Sequence, residues 1–203
     1  MFPFDVILFD VGGVLLTNGW DHGERAAAMS HFGLDRAAFE ARHLAPNDAW
    51  ERDVIPVKAY LDTTVFYEPR SFSQEDFVAF MLTQSKLLPD GALGILRELA
   101  ASDQYLLGAL NNEARVTNDY RFKTFGLREL FDVALSSCYL GLRKPDVAIY
   151  KRALDIVGRP PERVLFIDDR RENVAAADAV GMKGIQFLGA DSLRSELVSL
   201  GVL

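Results

Sequence analysis

Residues 4–10 form a short, nearly unbroken apolar run, Phe-Asp-Val-Ile-Leu-Phe-Asp, that ends on an acid and is followed by Gly12-Gly13. A run this short, bounded by glycines, reads as a strand covered on both faces, the kind found in parallel sheets. Similar runs return at 105–110, 133–135 and 164–167, with a weaker one at 184–187. Helical patterns separate them from residue 90 onward. Pro89-Asp90 opens one over 92–100, and Pro145-Asp146 opens another over 147–157, with Pro145 suited to the first turn. An alanine-rich stretch over 172–180 stops at Gly181, which can supply a left-handed cap. This alternation predicts an α/β fold with a doubly wound, Rossmann-like parallel sheet.

The stretch 20–88 breaks the alternation. It reads as helices only, over 23–32, 36–43, 56–65 and 74–86, with Ser73 and Asp76 forming a capping box for the last. A helical block inserted after the first strand cannot extend a parallel sheet, so it is expected to cover one. Residues 17–88 are therefore assigned to a helical cap, and 1–16 with 89–203 to the core. At 203 residues and 49% apolar, the chain can fill one domain carrying such an insertion.

Charge and cysteine usage narrow the setting. There are 22 basic residues against 29 acidic ones and no long Lys/Arg run, so a nucleic-acid surface is not expected. No apolar run reaches the roughly 20 residues that span a bilayer. Asp5 and Asp10 interrupt the early apolar stretch, which argues against a secretory signal. The single cysteine, Cys138, suits a reducing compartment, so a cytoplasmic location is expected. Oligomeric state is left open.

Four motifs fall where strands should end, which is where open parallel sheets bind ligands. They are Asp10-Val11-Gly12-Gly13, Asn111-Asn112, Gly141-Leu142-Arg143-Lys144-Pro145-Asp146, and Asp168-Asp169-Arg170-Arg171-Glu172-Asn173. Together they bring three carboxylates, an amide pair and a lysine around one crevice. Clustered carboxylates repel unless a divalent cation neutralises them, and hard oxygen ligands suit Mg²⁺ with substrate phosphate. A lysine beside that cation suits a phosphate's charge. A small phosphorylated metabolite held on Mg²⁺ is the expected ligand. Neither a Gly-x-Ser-x-Gly elbow nor a P-loop is present.

In order and spacing, these motifs resemble the haloacid dehalogenase superfamily, in the branch whose helical cap follows the first motif. The Phe-Asp-x-Gly-Gly-Val form is similar to sugar-phosphate phosphatases like α-glucose-1-phosphate phosphatase. The resemblance implies a phosphomonoesterase working through an aspartyl-phosphate, with Asp10 as nucleophile and Lys144 offsetting charge. It implies Asp10, the carbonyl of Gly12 and Asp169 as metal ligands, Asp168 orienting Lys144 or a metal-bound water, and Asn111, Asn112 and Lys144 holding phosphate.

Two departures stand out. Phosphatases of this superfamily usually carry a second aspartate two positions after the nucleophile, where this chain has Gly12; Asn111 stands where Ser or Thr is usual. A general acid or base contributes typically 10²–10⁴-fold, so its absence should show in the rate unless Asp21, His22 or Glu113 or a metal-polarised water replaces it, or a better leaving group such as a sugar 1-phosphate's makes it less necessary. Carbon–halogen hydrolysis, phosphonate cleavage through the cap lysine Lys58, and phosphate binding with weak turnover are the alternatives carried forward.

Overall fold

The computed structural model describes residues 3–203. Five strands, β1 (Val6–Phe9), β2 (Leu106–Ala109), β3 (Val133–Ala134), β4 (Val164–Asp168) and β5 (Lys183–Gln186), pair in the order β3-β2-β1-β4-β5. Every pairing is parallel. The chain builds outward from β1 to one side, then returns to build β4 and β5 on the other. The switch point lies between β1 and β4, and it opens a crevice beyond their carboxyl ends.

Four helices follow β1: α1 (His22–His31), α2 (Arg36–Glu51), α3 (Val57–Thr64) and α4 (Gln74–Thr83). Six more complete the core: α5 (Leu93–Ser102), α6 (Arg115–Thr124), α7 (Ser137–Leu140), α8 (Val147–Val157), α9 (Arg171–Ala179) and α10 (Ala190–Ser199). Successive strand residues point to opposite faces, and both faces are covered. Ile7, Phe9, Leu107, Leu165 and Ile167 pack with Leu96, Leu99, Leu193 and Leu197 of α5 and α10. Val6, Leu8, Val164 and Phe166 pack with Ile149, Tyr150 and Ala153 of α8 and Ala177 of α9. Burial on both sides is why the strands read as continuous apolar runs.

The α1–α4 block has an aromatic core of its own, including Trp20, Phe39, Trp50, Tyr60 and Phe77. Trp50 and Tyr60 stack with ring centroids 4.2 Å apart. The Tyr60 hydroxyl accepts from Trp20 Nε1 at 2.8 Å, so its one proton is left for His43 Nδ1 at 2.7 Å. Burial, reinforced by Arg25, pushes the His43 imidazole down to about 4.

The chain enters and leaves this block side by side. Leu16 and Leu87 form an antiparallel bridge, Thr17 N donates to Lys86 O at 2.9 Å, and Lys86 N donates to Thr17 Oγ1 at 3.1 Å. The helix expected over 74–86 therefore stops at Thr83, because Leu87 is needed for this seam. The helix expected over 36–43 continues to Glu51 through Pro46. That proline costs one backbone bond, while Phe39, His43 and Trp50 on one face bury against the aromatic core. The strand expected over 133–135 is only the two residues Val133–Ala134. Helices α6 and α10 were not foreseen; α6 buries Thr117, Asn118 and Arg121 beside Phe122, so it lacks an apolar stripe.

Candidate active site

Strand register creates the site. Phe9 pairs with Ile167, so the next residues, Asp10 and Asp168, emerge side by side at the strand ends. Asp10 N donates to Ile167 O at 2.8 Å, and Phe187 N donates to Asp168 O at 2.8 Å. Lys144 reaches between the two carboxylates from the segment joining α7 and α8. Its Nζ lies 3.0 Å from Asp10 Oδ1 and 2.6 Å from Asp168 Oδ2. Asp168 is fully engaged: Asn173 Nδ2 donates to its two oxygens at 2.9 and 3.0 Å, and Arg170 N donates at 2.8 Å. Asp10 Oδ1 also accepts from Val11 N at 2.7 Å.

Burial and crowding decide the charges. Burial pushes the Asp10 carboxyl up to about 7, against the pull of Lys144 and with help from Asp168. Burial alone would push the Lys144 ammonium down, but Asp10 and Asp168 outweigh it and hold it above its ordinary value. Asp169 is raised as well, by burial first and by Asp168 second. Oxygens of Asp10, Asp168 and Asp169 lie within 4.8 Å of one another, and Asp169 Oδ1 is buried with no hydrogen-bond partner. One lysine against three carboxylates leaves negative charge in excess. An orphaned buried carboxylate oxygen beside two further carboxylates fits a hard divalent cation.

Gly13 makes that approach possible. Its φ is +72°, and a Cβ there would sit 2.3 Å from Asp169 Oδ2. Gly12 lies on the same loop and lines the cavity.

The amide pair does something the spacing did not disclose. Asn112 clamps the backbone of Lys144, accepting from its N and donating to its O, both at 2.8 Å. Asn111 is buried; its Nδ2 donates to Asn118 at 3.0 Å and its Oδ1 accepts from Ser136 Oγ at 2.7 Å. Each amide thus spends one of its two N–H donors within the protein, and Asn112 also lines the cavity. Among the proposed replacement acids, Asp21 caps α1 and pairs with Arg170 at 3.0 Å, while His22 is exposed and contacts Arg25 at 2.9 Å. Glu113 is buried and held by Arg121 and by Thr117 Oγ1, the latter at 2.8 Å. That buried Glu113–Arg121 pair was not anticipated as a pair. Lys58 is exposed on α3, pairs with Asp62 at 2.7 Å and does not line the cavity. Cys138 is buried, and burial pushes its thiol up to about 12, so it is unreactive.

The crevice continues into a cavity of about 620 Å³ between the sheet and the α1–α4 block. Its walls include Arg25, His43 and Arg52 on one side and Arg143, Lys144 and Arg170 on the other. Arg143 pairs with Glu51 across it at 2.9 Å. No helix among the described residues is long and apolar enough to cross a membrane.

Known proteins resemble the chain in sequence and in fold. Flavin mononucleotide hydrolase 1 of Arabidopsis thaliana, named as a chloroplast protein, is 30% identical over 198 residues, 97% of this chain and 78% of its own length. Sesquiterpene phosphatase astK of Aspergillus oryzae is 28% identical over 199 residues, 95% of this chain and 93% of its own. A haloacid dehalogenase family enzyme of Bacteroides thetaiotaomicron superposes with a TM-score of 0.80 at 20% identity, covering 96% of this chain and 98% of that one. The same enzyme in complex with magnesium and inorganic phosphate superposes at 0.70, also at 20% identity, covering 90% and 93%. The profile of haloacid dehalogenase-like hydrolases matches residues 4–181, and by that match the chain belongs to the haloacid dehalogenase-like hydrolase family.

Proposed function

We propose that this hydrolase is a Mg²⁺-dependent phosphomonoesterase acting on a small, polar phosphorylated metabolite, with a sugar or polyol phosphate as the substrate class. The observation that carries the reading is the buried Asp10–Lys144–Asp168 group with the orphaned Asp169 oxygen beside it. Asp10, Asp169 and the Gly12 carbonyl would hold the metal. When bound, Mg²⁺ supplies charge neutralisation for the carboxylates and the phosphoryl oxygens.

The protein's own groups account for the rest. Asp10 attacks phosphorus, the bond to the leaving oxygen breaks, and the phosphoryl group rests on the Asp10 carboxylate as an acyl phosphate. Water then cleaves that anhydride and regenerates Asp10, so one difficult displacement becomes two easier ones. Lys144 faces the nucleophile and offsets charge on the phosphoryl oxygens. Asp168 holds Lys144, and Asn112 holds the Lys144 backbone. Asn111 and Asn112 each spend one amide N–H within the protein, so phosphate contact is assigned to Lys144, to main-chain N–H groups of this loop and to the second Nδ2 proton of Asn112, which lines the cavity.

The cavity wall supports the polar substrate class. Trp50, Phe39 and Phe77 face the core of the α1–α4 block, while the cavity that holds Asp10 is lined largely by paired charges, among them Arg52 with Asp48, Arg143 with Glu51 and Arg170 with Asp21. A terpenoid chain would need an apolar wall, whereas a polyhydroxylated body can bond to these side chains. Residues 17–88 act as the cap that encloses it. The buried, lone Cys138 supports a reducing compartment such as the cytoplasm.

The test is phosphate release from a panel of sugar, polyol, nucleotide and isoprenoid phosphates with Mg²⁺, with Asp10→Asn as control. Release that requires metal, is abolished in the control and is fastest on the small polar members supports the reading. Turnover that survives chelation, or no release from any member, overturns it.

A further inference from the structure

Breaking the P–O bond leaves an electron pair on the departing oxygen, which needs a proton or a hydrogen-bond donor as charge develops. Gly12 offers no side chain for this. Glu113, the buried carboxylate nearby, is already occupied as an acceptor from Arg121 and Thr117.

The space beside Gly12 is nonetheless filled. A Cβ built on Gly12 would lie 2.9 Å from Asn18 Oδ1 and 3.5 Å from Asn18 Cα. Asn18 lines the same cavity as Asp10, Gly12 and Lys144, and its amide has no hydrogen-bond partner among the described residues. Its backbone is fixed from both sides. Thr17 O accepts from Arg121 Nη2 at 2.5 Å, and Thr17 is tied to Lys86. On the other side, a Cβ on Gly19 would fall 2.5 Å from the Glu113 carboxylate and 2.7 Å from Arg121 Nη1. The buried Arg121–Glu113 pair therefore clamps the peptide that carries Asn18, and an unpartnered amide is held over the loop after the nucleophile.

Resting on the phosphomonoesterase reading, we propose that Asn18 is a catalytic residue: its amide N–H donates to the leaving oxygen in the first step and holds the attacking water in the second. An amide donates a hydrogen bond but transfers no proton. In the first step Asp10 gains the phosphoryl group and the departing oxygen gains the electron pair, then takes its proton from solvent water. In the second, the hydroxide so formed, or water, attacks phosphorus and returns Asp10 as carboxylate with inorganic phosphate. The rate then depends steeply on how readily the leaving group bears negative charge.

Substituted phenyl phosphates, from 4-nitrophenyl to unsubstituted phenyl phosphate, measure that dependence directly. Asn18→Ala should lower kcat/KM on phenyl phosphate at least about tenfold more than on 4-nitrophenyl phosphate, because only the poorer leaving group needs the donor. Asn18→Leu, close in volume but without a donor, should show the same substrate-dependent loss. Equal losses on all substrates, or none, overturn the assignment. If the alanine variant does not fold, the leucine variant decides alone: an unchanged leaving-group slope rejects Asn18. Failure of the parent reading looks different, since wild-type protein would then release phosphate from no member of the series.

Discussion

Replacing Lys144 by methionine keeps the stem's bulk and removes its charge. At 3.0 Å from Asp10 and 2.6 Å from Asp168, each attraction is about 6 kcal/mol with an effective dielectric constant near 20. Most of that offsets the cost of burying three charges, so the expected net loss is the ~3–5 kcal/mol of a buried pair stripped of one partner. Asp168 keeps Asn173 and the Arg170 N–H, whereas Asp10 keeps only the Val11 N–H among its hydrogen bonds, so the stress falls on Asp10. The pH dependence has a definite sign. Asp10 is raised from 3.8 to about 7, so between those values the folded chain binds a proton that the unfolded chain has released, and its contribution to stability falls as pH rises. Without Lys144 the carboxyl rises further and the loss grows at alkaline pH. Urea unfolding in chelated buffer should show a deficit of ~3–5 kcal/mol at pH 8 and a smaller one at pH 5.5. A variant within 1 kcal/mol of wild type at pH 8, or one hurt more at pH 5.5, would refute the reasoning.

Two further outcomes follow from the geometry. Gly13→Ala places a Cβ 2.3 Å from Asp169 Oδ2 at positive φ, so Mg²⁺ affinity by calorimetry should weaken more than about tenfold while far-ultraviolet circular dichroism is retained; unchanged affinity would contradict the site. His43, lowered from 6.5 to about 4, leaves the unfolded chain binding the extra proton in that window, so wild-type stability falls as pH drops through it. His43→Asn should escape roughly 3 kcal/mol of that loss by pH 4, and parallel stability curves for the two proteins would exclude it.

Asp10, Lys144 and the Asp168-Asp169 pair were legible because an acid after a doubly buried strand is conspicuous, and parallel register then forces neighbours to meet. The bonds that Asn111 and Asn112 make within the protein were not. Their partners, Asn118, Ser136 and the Lys144 backbone, are distant in sequence or lie on elements with no pattern to announce them. Helix α6 hid for a related reason: Arg121 looks like a solvated helix charge, yet it is 1% exposed and braces Thr17, which is 104 positions earlier. The sequence reading also ended α2 at His43, where packing of Trp50 against the aromatic core carries the helix on to Glu51. Periodicity reports which faces are apolar, but it does not report which polar groups have found each other.

The seam at Leu16–Leu87 has a consequence for how such a chain can diversify. Because both ends of the intervening segment sit on one bridge, that segment can be lengthened, shortened or exchanged without altering strand order, and loop-closure entropy changes only slowly with its size. Asn18, however, lies just past the joint, on the segment that would be exchanged. A graft made at residue 17 would bring a new specificity and a new leaving-group partner together, so selectivity and chemical reach would be inherited as one module.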